Sequence, residues 1–356
     1  MSNCQEPSPL MGVFLLVFCM HAVSLTACTV FVMARNGAVL AAKNLDWPVG
    51  EGVLVVNGRG VNKVAFAEDP GIHVLTWRSR FGSATVNLLG REFPLGGINE
   101  RGLVIEEASY SPSRYPRGHG PVVNEFQWIQ YHLDTCADTA EVLASLERIR
   151  IVPILARLHY LVCDAAGRAA LVEFIAGKVR VYTGNDLPVP VMTNTSYANS
   201  LKSLAIHRGF GGTRAVGDGP ESPERFVRAA LRIRDWRKMP GSMTADCAFR
   251  VLNTVAQRDT QWAVVYDPVN LVLQFRTRGN PSIRALGLKN CDFQRTVWTA
   301  DMNVPGRALE RKEWTFPRHT LRIKDVFARL VRQGEAEAAS AIALRDRLIA
   351  YGRTLP

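Results

Sequence analysis

Cys28 is the residue of this sequence best placed for covalent chemistry, because it follows a segment with the features of a removable export signal. Cleavage after Ala27 would make Cys28 the first residue of the mature chain, with a thiol and a free α-amine on one residue. A terminal α-amine has a pKa of about 7.7–8.0, so a useful fraction is unprotonated near neutral pH. The thiolate is the nucleophilic form of cysteine, and this amine can act as the base that produces it.

The segment before Cys28 predicts export. Residues 7–34 contain no Lys, Arg, Asp or Glu, residues 10–20 are an apolar run, and Ser24-Leu25-Thr26-Ala27 supplies a small-residue cleavage site. We expect residues 1–27 to be a signal peptide that is removed, which leaves the mature chain in the periplasm or secreted. The first nine residues depart from the pattern, because they contain no Lys or Arg. The apolar run is too short for a membrane span, so we expect no integral span in the mature chain.

A second interpretation of Cys28 is lipidation, since Leu25-Thr26-Ala27-Cys28 resembles a bacterial lipobox. The residues that follow favour catalysis over a lipid anchor. Asn36-Gly37 predicts a type I′ turn between two strands, which would return Asp46 to the level of Cys28. A carboxylate there could accept a hydrogen bond from the α-ammonium and orient it. A lipoprotein usually follows its cysteine with a flexible tether, whereas here a hairpin begins at once.

The composition excludes several classes of protein. Of 356 residues, 47% are hydrophobic and 21% charged, which excludes a disordered or disulfide-dense chain. The formal net charge is +11, but the basic residues are scattered, so we expect no nucleic-acid partner. The sequence has no CxxC pair, and none of its 7 His residues has a metal-ligand spacing. We therefore expect no metal and no organic cofactor. An odd number of cysteines remains from residue 28 onward, which leaves at least one thiol unpaired.

Several segments, in order along the chain, resemble the choloylglycine hydrolase family of N-terminal nucleophile amidases, which includes penicillin V acylases and conjugated bile salt hydrolases. The matching segments are Cys28-Thr29, Lys43-Asn44-Leu45-Asp46-Trp47, Gly97-Ile98-Asn99-Glu100-Arg101-Gly102-Leu103, Val191-Met192-Thr193-Asn194, Pro223-Glu224-Arg225-Phe226-Val227-Arg228, and the hairpin over residues 262–277. Each segment is weak alone, and the ordered set, beginning at a cleavage site, is fairly specific.

The resemblance implies an α+β fold, the αββα sandwich of N-terminal nucleophile hydrolases, with two antiparallel sheets covered by helices. The sequence agrees independently. Strand-like runs occupy residues 159–164, 169–174, 178–182, 261–267 and 271–277, and helical spacing occurs over 124–133, 139–149, 223–236 and 243–255. We predict one domain over residues 28–356, with a helical tail at about 322–352.

The resemblance also implies roles for individual residues. Cys28 would be the nucleophile, Asp46 would orient its amine, and Asn194 and the backbone N–H of Ser109 would hold the oxyanion. Arg225 is predicted to lie in the first turn of a helix capped by Ser222 and Pro223. A cation there opposes the helix dipole, which hints at function or at an anionic partner nearby.

Two positions depart from the family. Lys43 stands where the family usually has Arg, so it keeps the charge but loses the bidentate geometry. Ser109 stands where bile salt hydrolases have Asn, which argues against simple transfer of bile salt specificity. Glu107 would share a strand face with Ser109 and could favour an amine-bearing substrate. We expect the loops around Phe81 and Tyr110 to complete an apolar substrate pocket.

We therefore predict a hydrolase that cleaves linear amide C–N bonds of small N-acyl compounds through a cysteine thioester. The substrate candidates are penicillin V-like amides, N-acyl amino acids, N-acyl homoserine lactones and bile salt conjugates, and export argues against the last. An exported lipoprotein that only binds a ligand, an acyltransferase on the same fold and a nucleic-acid binder are the alternatives. The oligomeric state is open, with a homo-oligomer as one option.

Overall fold

The computed structural model describes residues 28–69, 71–294 and 297–355, so the predicted signal peptide lies outside the described residues. The strands, in chain order, are β1 (Thr29–Arg35), β2 (Ala38–Asp46), β3 (Val53–Asn57), β4 (Asn62–Val64), β5 (Thr76–Arg78), β6 (Ser83–Asn87), β7 (Pro94–Asn99), β8 (Val104–Ser109), β9 (Val122–Val123), β10 (Arg150–Ile151), β11 (Leu158–Cys163), β12 (Ala169–Ile175), β13 (Lys178–Thr183), β14 (Val191–Met192), β15 (Thr260–Asp267), β16 (Val272–Thr277), β17 (Arg284–Gly287), β18 (Trp298–Asp301) and β19 (Lys312–Glu313). The helices are α1 (Glu125–Thr135), α2 (Thr139–Ser145), α3 (Tyr197–Ala205), α4 (Ser222–Lys238), α5 (Ala245–Val255), α6 (Phe316–Arg332) and α7 (Ala338–Gly352).

Two antiparallel sheets form the centre of the fold. One has six strands in the order β14-β1-β2-β15-β16-β17, and the other has nine in the order β13-β12-β11-β8-β7-β6-β3-β18-β19. Strand β1 contacts β8 and β11, so the two sheets face each other.

Helices cover the outer face of each sheet. Every residue of β3, β6, β7, β8 and β11 is buried, which requires cover on both faces of the sheet. Helix α1 packs on β7 and β8, while α4 and α5 pack on the six-stranded sheet. The predicted αββα arrangement is confirmed.

The first hairpin has the turn that the sequence predicts. Asn36 has a φ of 51° and Gly37 a φ of 78°, as a type I′ turn requires. The turn sets the register, in which Arg35 pairs with Ala38 and Thr29 pairs with Asn44. Because β2 continues to Asp46, its last residue lies at the level of Cys28, immediately before β1.

The predicted strands and helices lie within a few residues of the observed ones, but several observed elements have no predicted counterpart, among them β3, β6, β18 and helix α3. Helix α3 was not predicted, since its nine residues are short for a helix with a clear periodic pattern. The predicted helical tail consists of two helices, α6 and α7, and Gly334, with a φ of 71°, lies in the break between them. Helices α6 and α7 pack on each other.

No helix in the described part of the chain has the length and apolar character needed to cross a bilayer. The five cysteines in the described ranges are free thiols, namely Cys28, Cys136, Cys163, Cys247 and Cys291.

Candidate active site

Cys28 lies at the open end of the β1–β2 hairpin and is only 3% exposed. Burial raises the pKa of its thiol to about 12, and nearby Glu107 and Asp46 raise it too, against the opposing charge of Lys43. A thiol with such a pKa is fully protonated at neutral pH, so it needs a base to become a nucleophile.

Arg225 joins the chain around Cys28 to the other candidate residues. Its Nη1 donates to the Cys28 carbonyl at 2.6 Å and to Thr29 Oγ1 at 2.7 Å, and its Nη2 donates to Asn194 Oδ1 at 2.9 Å. The same Nη1 lies 4.0 Å from Asp46 Oδ2. With the Pro220 carbonyl, which accepts from Nε at 3.0 Å, five polar partners converge on a guanidinium that is 1% exposed, which explains why a cation occupies the start of α4.

The start of α4 differs slightly from the prediction. The N-cap residue is Glu221, one residue before the predicted Ser222, and Pro223 lies in the first turn. Arg225 is therefore in the first turn as expected, and its side chain turns inward to anionic and carbonyl partners. Those partners offset the unfavourable interaction with the helix dipole.

Asn194 faces the end of β8. Its Nδ2 donates to the Ser109 carbonyl at 2.9 Å. Since Arg225 has only donors, it fixes Oδ1 on its own side and turns the amide nitrogen toward Ser109.

The Ser109 N–H points to the same region. The next residue, Tyr110, donates its N–H to Arg157 O at 2.8 Å on the β11 side, so Ser109 faces the opposite edge of the strand. The N–H and C=O of one strand residue point the same way, and the Ser109 C=O already faces Asn194. The structure thus brings together the two predicted oxyanion donors.

Asp46 has one paired and one unpaired carboxylate oxygen. Thr260 Oγ1 donates to Oδ1 through a short hydrogen bond, whereas Oδ2 is buried and has no hydrogen-bond partner among the described residues. Burial raises the pKa of Asp46 to about 6, although Thr260 and Arg225 oppose the rise. A buried carboxylate oxygen without a donor is unfavourable, so this position suits an additional cationic donor.

Lys43 is the centre of a buried charge cluster. Its Nζ lies 2.7 Å from Glu107 Oε1 and 3.0 Å from Glu106 Oε2, and it donates to the Leu95 carbonyl at 3.0 Å. Two of these contacts, to Glu107 and Leu95, are hydrogen bonds, and the contact with Glu106 is an ion pair. Burial lowers the pKa of Lys43, but Glu106 and Glu107 outweigh burial and hold it above its ordinary value. Tyr266 completes the cluster by donating its hydroxyl to Glu106 Oε1.

A small, mainly apolar cavity opens beside Cys28. Its volume is about 40 Å³, and its lining residues are Cys28, Leu45, Trp47, Leu95, Glu107, Ser109, Phe126, Leu155, Ala156 and Leu158. Glu107 and Ser109 line it together, as the strand alternation predicts.

Phe81 and Tyr110 do not line this cavity. Phe81 lies between β5 and β6, where its N–H donates to Asp134 O and the Arg80 guanidinium stacks 4.9 Å from its ring centroid. The Tyr110 ring stacks on the His159 ring, with their centroids 5.1 Å apart. The structure therefore brings Cys28, Asp46, Lys43, Glu107, Ser109, Asn194 and Arg225 together and leaves these two aromatic residues outside the group.

Sequence reasoning missed Thr260, the Thr29 hydroxyl as a partner of Arg225, and the cavity wall at residues 155–158. Thr260 is the first residue of β15 and reaches Asp46 from 214 positions away in the chain. The sequence contains no local signal for such a contact, because any Thr at the start of a strand has the same appearance.

A family model described as linear amide C–N hydrolases of the choloylglycine hydrolase family matches residues 28–267 of this chain. The penicillin V acylase of Pectobacterium atrosepticum is 25% identical over 324 residues, which cover 76% of this chain and 83% of that relative.

Solved structures show the same architecture. A penicillin V acylase from Agrobacterium tumefaciens aligns with a TM-score of 0.68 and 25% identity, covering 81% of this chain and 98% of that one. A mutant conjugated bile acid hydrolase from Clostridium perfringens aligns with a TM-score of 0.66 and 16% identity, covering 81% and 97% respectively. The second likeness concerns the fold alone.

Proposed function

Because the chain belongs to the choloylglycine hydrolase family of linear amide C–N hydrolases, we propose that it hydrolyses N-acyl amides with Cys28 as an N-terminal nucleophile. The observation that carries this proposal is the buried Oδ2 of Asp46, which lacks a hydrogen-bond partner among the described residues. It lies at the end of β2, level with Cys28, where removal of residues 1–27 would create an α-ammonium. That ammonium would give the carboxylate oxygen its missing donor.

The charges of the site support the same maturation step. Lys43 and Arg225 carry two positive charges, while Asp46, Glu106 and Glu107 carry three negative charges when ionised. One additional cation makes this buried set neutral. The α-ammonium of Cys28 is such a cation, and an unbalanced buried charge is costly.

In the first half of the proposed reaction, the unprotonated α-amine of Cys28 takes the proton from the thiol. The thiolate sulfur attacks the amide carbonyl carbon, and the carbonyl oxygen becomes an oxyanion. The Ser109 N–H and the second amide hydrogen of Asn194 stabilise that charge. When the C–N bond breaks, the α-ammonium returns its proton to the leaving amine and a thioester remains.

In the second half, the same α-amine takes a proton from water, and the resulting hydroxide attacks the thioester. Collapse of the second tetrahedral intermediate breaks the C–S bond, and the proton returns to the sulfur. The product is the free acid. Arg225 contributes by fixing the Cys28 carbonyl and Asn194 in position for both halves.

The cavity supports an apolar acyl group as the part of the substrate that is recognised. Leucine, tryptophan, phenylalanine and alanine side chains form most of its wall. Two proteins that the chain resembles at 25% identity are penicillin V acylases. We therefore place penicillin V-like amides first among the substrate candidates, ahead of N-acyl amino acids, N-acyl homoserine lactones and bile salt conjugates.

Two alternatives give different products at Cys28. A lipoprotein would carry a diacylglyceryl group on the Cys28 thiol. The burial of Cys28, which is only 3% exposed, disfavours that modification. An acyltransferase would form the same thioester and pass it to an amine rather than to water. Export to the periplasm or medium remains part of the proposal, because the segment before Cys28 has the features of a signal peptide.

A panel of N-acyl amides, assayed with the mature protein and with Cys28→Ala, tests the proposal. We expect wild-type turnover and none in Cys28→Ala, while Cys291→Ala, a half-buried cysteine outside the site, serves as the matched control. Mass spectrometry of the wild type should find an unmodified Cys28 at the N-terminus. Turnover in Cys28→Ala would refute the nucleophile, and a diacylglyceryl group on Cys28 would favour the lipoprotein.

A further inference from the structure

Glu125 is a fully buried carboxylate that none of the steps above uses. It is the first residue of α1, and its side chain turns away from the helix toward the connection between β10 and β11. Oε2 accepts the N–H of Ile154 at 2.8 Å, and Oε1 accepts those of Leu155 at 2.8 Å and Ala156 at 2.7 Å. One side chain therefore fixes three consecutive backbone amides.

Helix capping does not account for this residue. The N-cap of α1 is Asn124, whose side chain accepts the N–H groups of Phe126 and Gln127. Glu125 is thus free to bind the loop. The three amide dipoles stabilise its charge, yet burial still raises the pKa of Glu125 to about 7. A carboxylate at this buried position supplies two acceptor oxygens, which the three backbone N–H groups of residues 154–156 require.

The loop that Glu125 holds is a wall of the cavity beside Cys28. Leu155 and Ala156 line that cavity, and so does Phe126, the neighbour of Glu125 on α1. Most other lining residues belong to strands, whose positions are fixed by their sheets. Besides Cys28, which Arg225 holds through its carbonyl, the connection 152–157 and Trp47 are the parts of the wall outside regular elements, so they are the parts that a local contact can adjust.

The size of the cavity makes the position of this wall important. A volume of about 40 Å³ holds only a few water molecules. An acyl group that enters this cavity packs against Leu155 and Ala156, so the position of their backbone decides how well the group fits. Displacing residues 154–156 works against three charge-assisted hydrogen bonds, which are stronger than bonds between neutral groups.

We propose that Glu125 is a positioning residue that sets the acyl-group preference, by fixing the 154–156 backbone as the adjustable wall of the acyl pocket. This inference rests on the proposed amide hydrolysis. Glu125 does not touch the reacting atoms, so it governs substrate fit rather than the chemical step.

The test compares wild type, Glu125→Gln and Glu337→Gln on amides that share one amine and carry acyl groups of increasing size. Glutamine keeps one acceptor oxygen but presents an NH₂ group to a backbone donor. For the acyl group that the wild type prefers, we expect KM to rise about tenfold in Glu125→Gln. We expect kcat to change less than twofold and the preference to shift toward larger acyl groups. Glu337, an exposed carboxylate that caps α7 through two backbone N–H groups, is the matched control and should leave the profile unchanged.

Hydrogen exchange of the segment 152–157 supplies a readout that does not need activity. We expect faster exchange there in Glu125→Gln than in Glu337→Gln, and Glu125→Asp is the substitute if Glu125→Gln does not fold. Unchanged exchange, an unchanged acyl preference or a loss carried by kcat alone would overturn the inference. A wild type that cleaves no amide would instead refute the proposed function, and exchange would still decide whether Glu125 anchors the loop.

Discussion

At the scale of single residues, the site depends on how its buried charges are paired. Asp46 pairs with Arg225, and Lys43 pairs with Glu106 and Glu107 in a second group. Each charge is held by contacts from elements far apart in the chain. Removing one member therefore affects both protonation and stability.

The pKa of Asp46 predicts a limb on the acidic side of the pH–rate profile. The ionised carboxylate orients the α-amino group through a charge-assisted hydrogen bond that a neutral carboxyl does not match, so kcat/KM should fall again as pH drops through the pKa of Asp46, below the fall caused by protonation of the α-amine itself. Burial raises that pKa to about 6, and the ammonium of the mature chain would lower it, so we expect the limb at or below about pH 6. In Asp46→Asn the limb should disappear, and the rate should fall at least about a hundredfold.

Thr260→Val is the companion variant for that profile. The Thr260 hydrogen bond lowers the pKa of Asp46, so its loss should move the acidic limb to higher pH. A limb at or below about pH 6 that stays in place in both Asp46→Asn and Thr260→Val would mean that a group other than Asp46 titrates there.

The buried ion pairs of Lys43 predict an effect on the free energy of unfolding that can be measured separately from catalysis. Lys43→Met leaves Glu106 and Glu107 buried without their cation, and breaking a buried pair in this way costs about 3–5 kcal/mol. Urea unfolding should show this loss. The matched control is Arg250→Met, whose ion pair with Asp246 is exposed and should contribute less than about 1 kcal/mol. Equal losses in the two variants would contradict the pairing described for Lys43.

At the scale of elements, the β1–β2 hairpin positions the nucleophile and its carboxylate. The register gives a Thr29–Asn44 pair, and β15 joins β2 on the other edge to bring Thr260 to Asp46. Strand β8 approaches from the facing sheet with Ser109 at its end. The site lies where these strand ends meet, so strand register sets its geometry.

Substituting two glycines distinguishes the contribution of the hairpin turn from that of the buried charge cluster. Gly37 lies in the turn and Gly96 lies beside Glu106. Gly37→Ala should cost only about 1–2 kcal/mol, because its φ is +78° but an added Cβ meets nothing within 4 Å. A Cβ on Gly96 would lie 2.2 Å from the Glu106 carboxylate, so Gly96→Ala displaces a buried ion pair. We expect the larger loss of unfolding free energy and activity in Gly96→Ala. A larger effect of Gly37→Ala would be inconsistent with this geometry.

The local elements could be predicted from the sequence because their signals are local. Asn36-Gly37 fixes a turn type by its own backbone preferences, and the strands around it follow from alternation. The contacts of the site could not be predicted in this way. Arg225 reaches Cys28 across 197 positions, and Glu125 reaches Ala156 through a loop with no periodic pattern. A first-turn Glu suits any helix dipole, so nothing in the sequence marked Glu125.

At the scale of the whole molecule, the C-terminal helices extend beyond the part of the chain that the family model matches. That match ends at residue 267, whereas α6 and α7 cover residues 316–352. They are joined to the rest through Tyr351, whose ring packs on Phe66 and Phe93. Its hydroxyl donates to the Val64 carbonyl at 2.8 Å. These contacts attach α7 to the segment around β4, and the single domain over residues 28–356 stays a prediction.

Leu348 in α7 tests whether the tail unfolds with the core. Leu348→Ala removes a fully buried side chain and should cost about 2–5 kcal/mol, seen as a shift of a single urea transition. Ile342→Ala, at a position that is 47% exposed on the same helix, should change stability by less than about 0.5 kcal/mol. A separate early transition in Leu348→Ala would show that the tail is an independent unit.

Because the hairpin fixes the position of Cys28, the peptide bond that is cleaved determines the distance between the terminal amine and the Cys28 sulfur. A residue in a strand advances about 3.3 Å, and consecutive side chains point to opposite faces. Arg225 holds the Cys28 carbonyl and Thr29 Oγ1, so the strand cannot slide to compensate for a misplaced cut. Under the proposed mechanism, a peptidase that cuts one residue early would leave a well-folded protein whose terminal amine is a full residue away from the sulfur. Correct cleavage before Cys28 and correct folding are thus separate requirements, and a sample can be fully folded yet inactive.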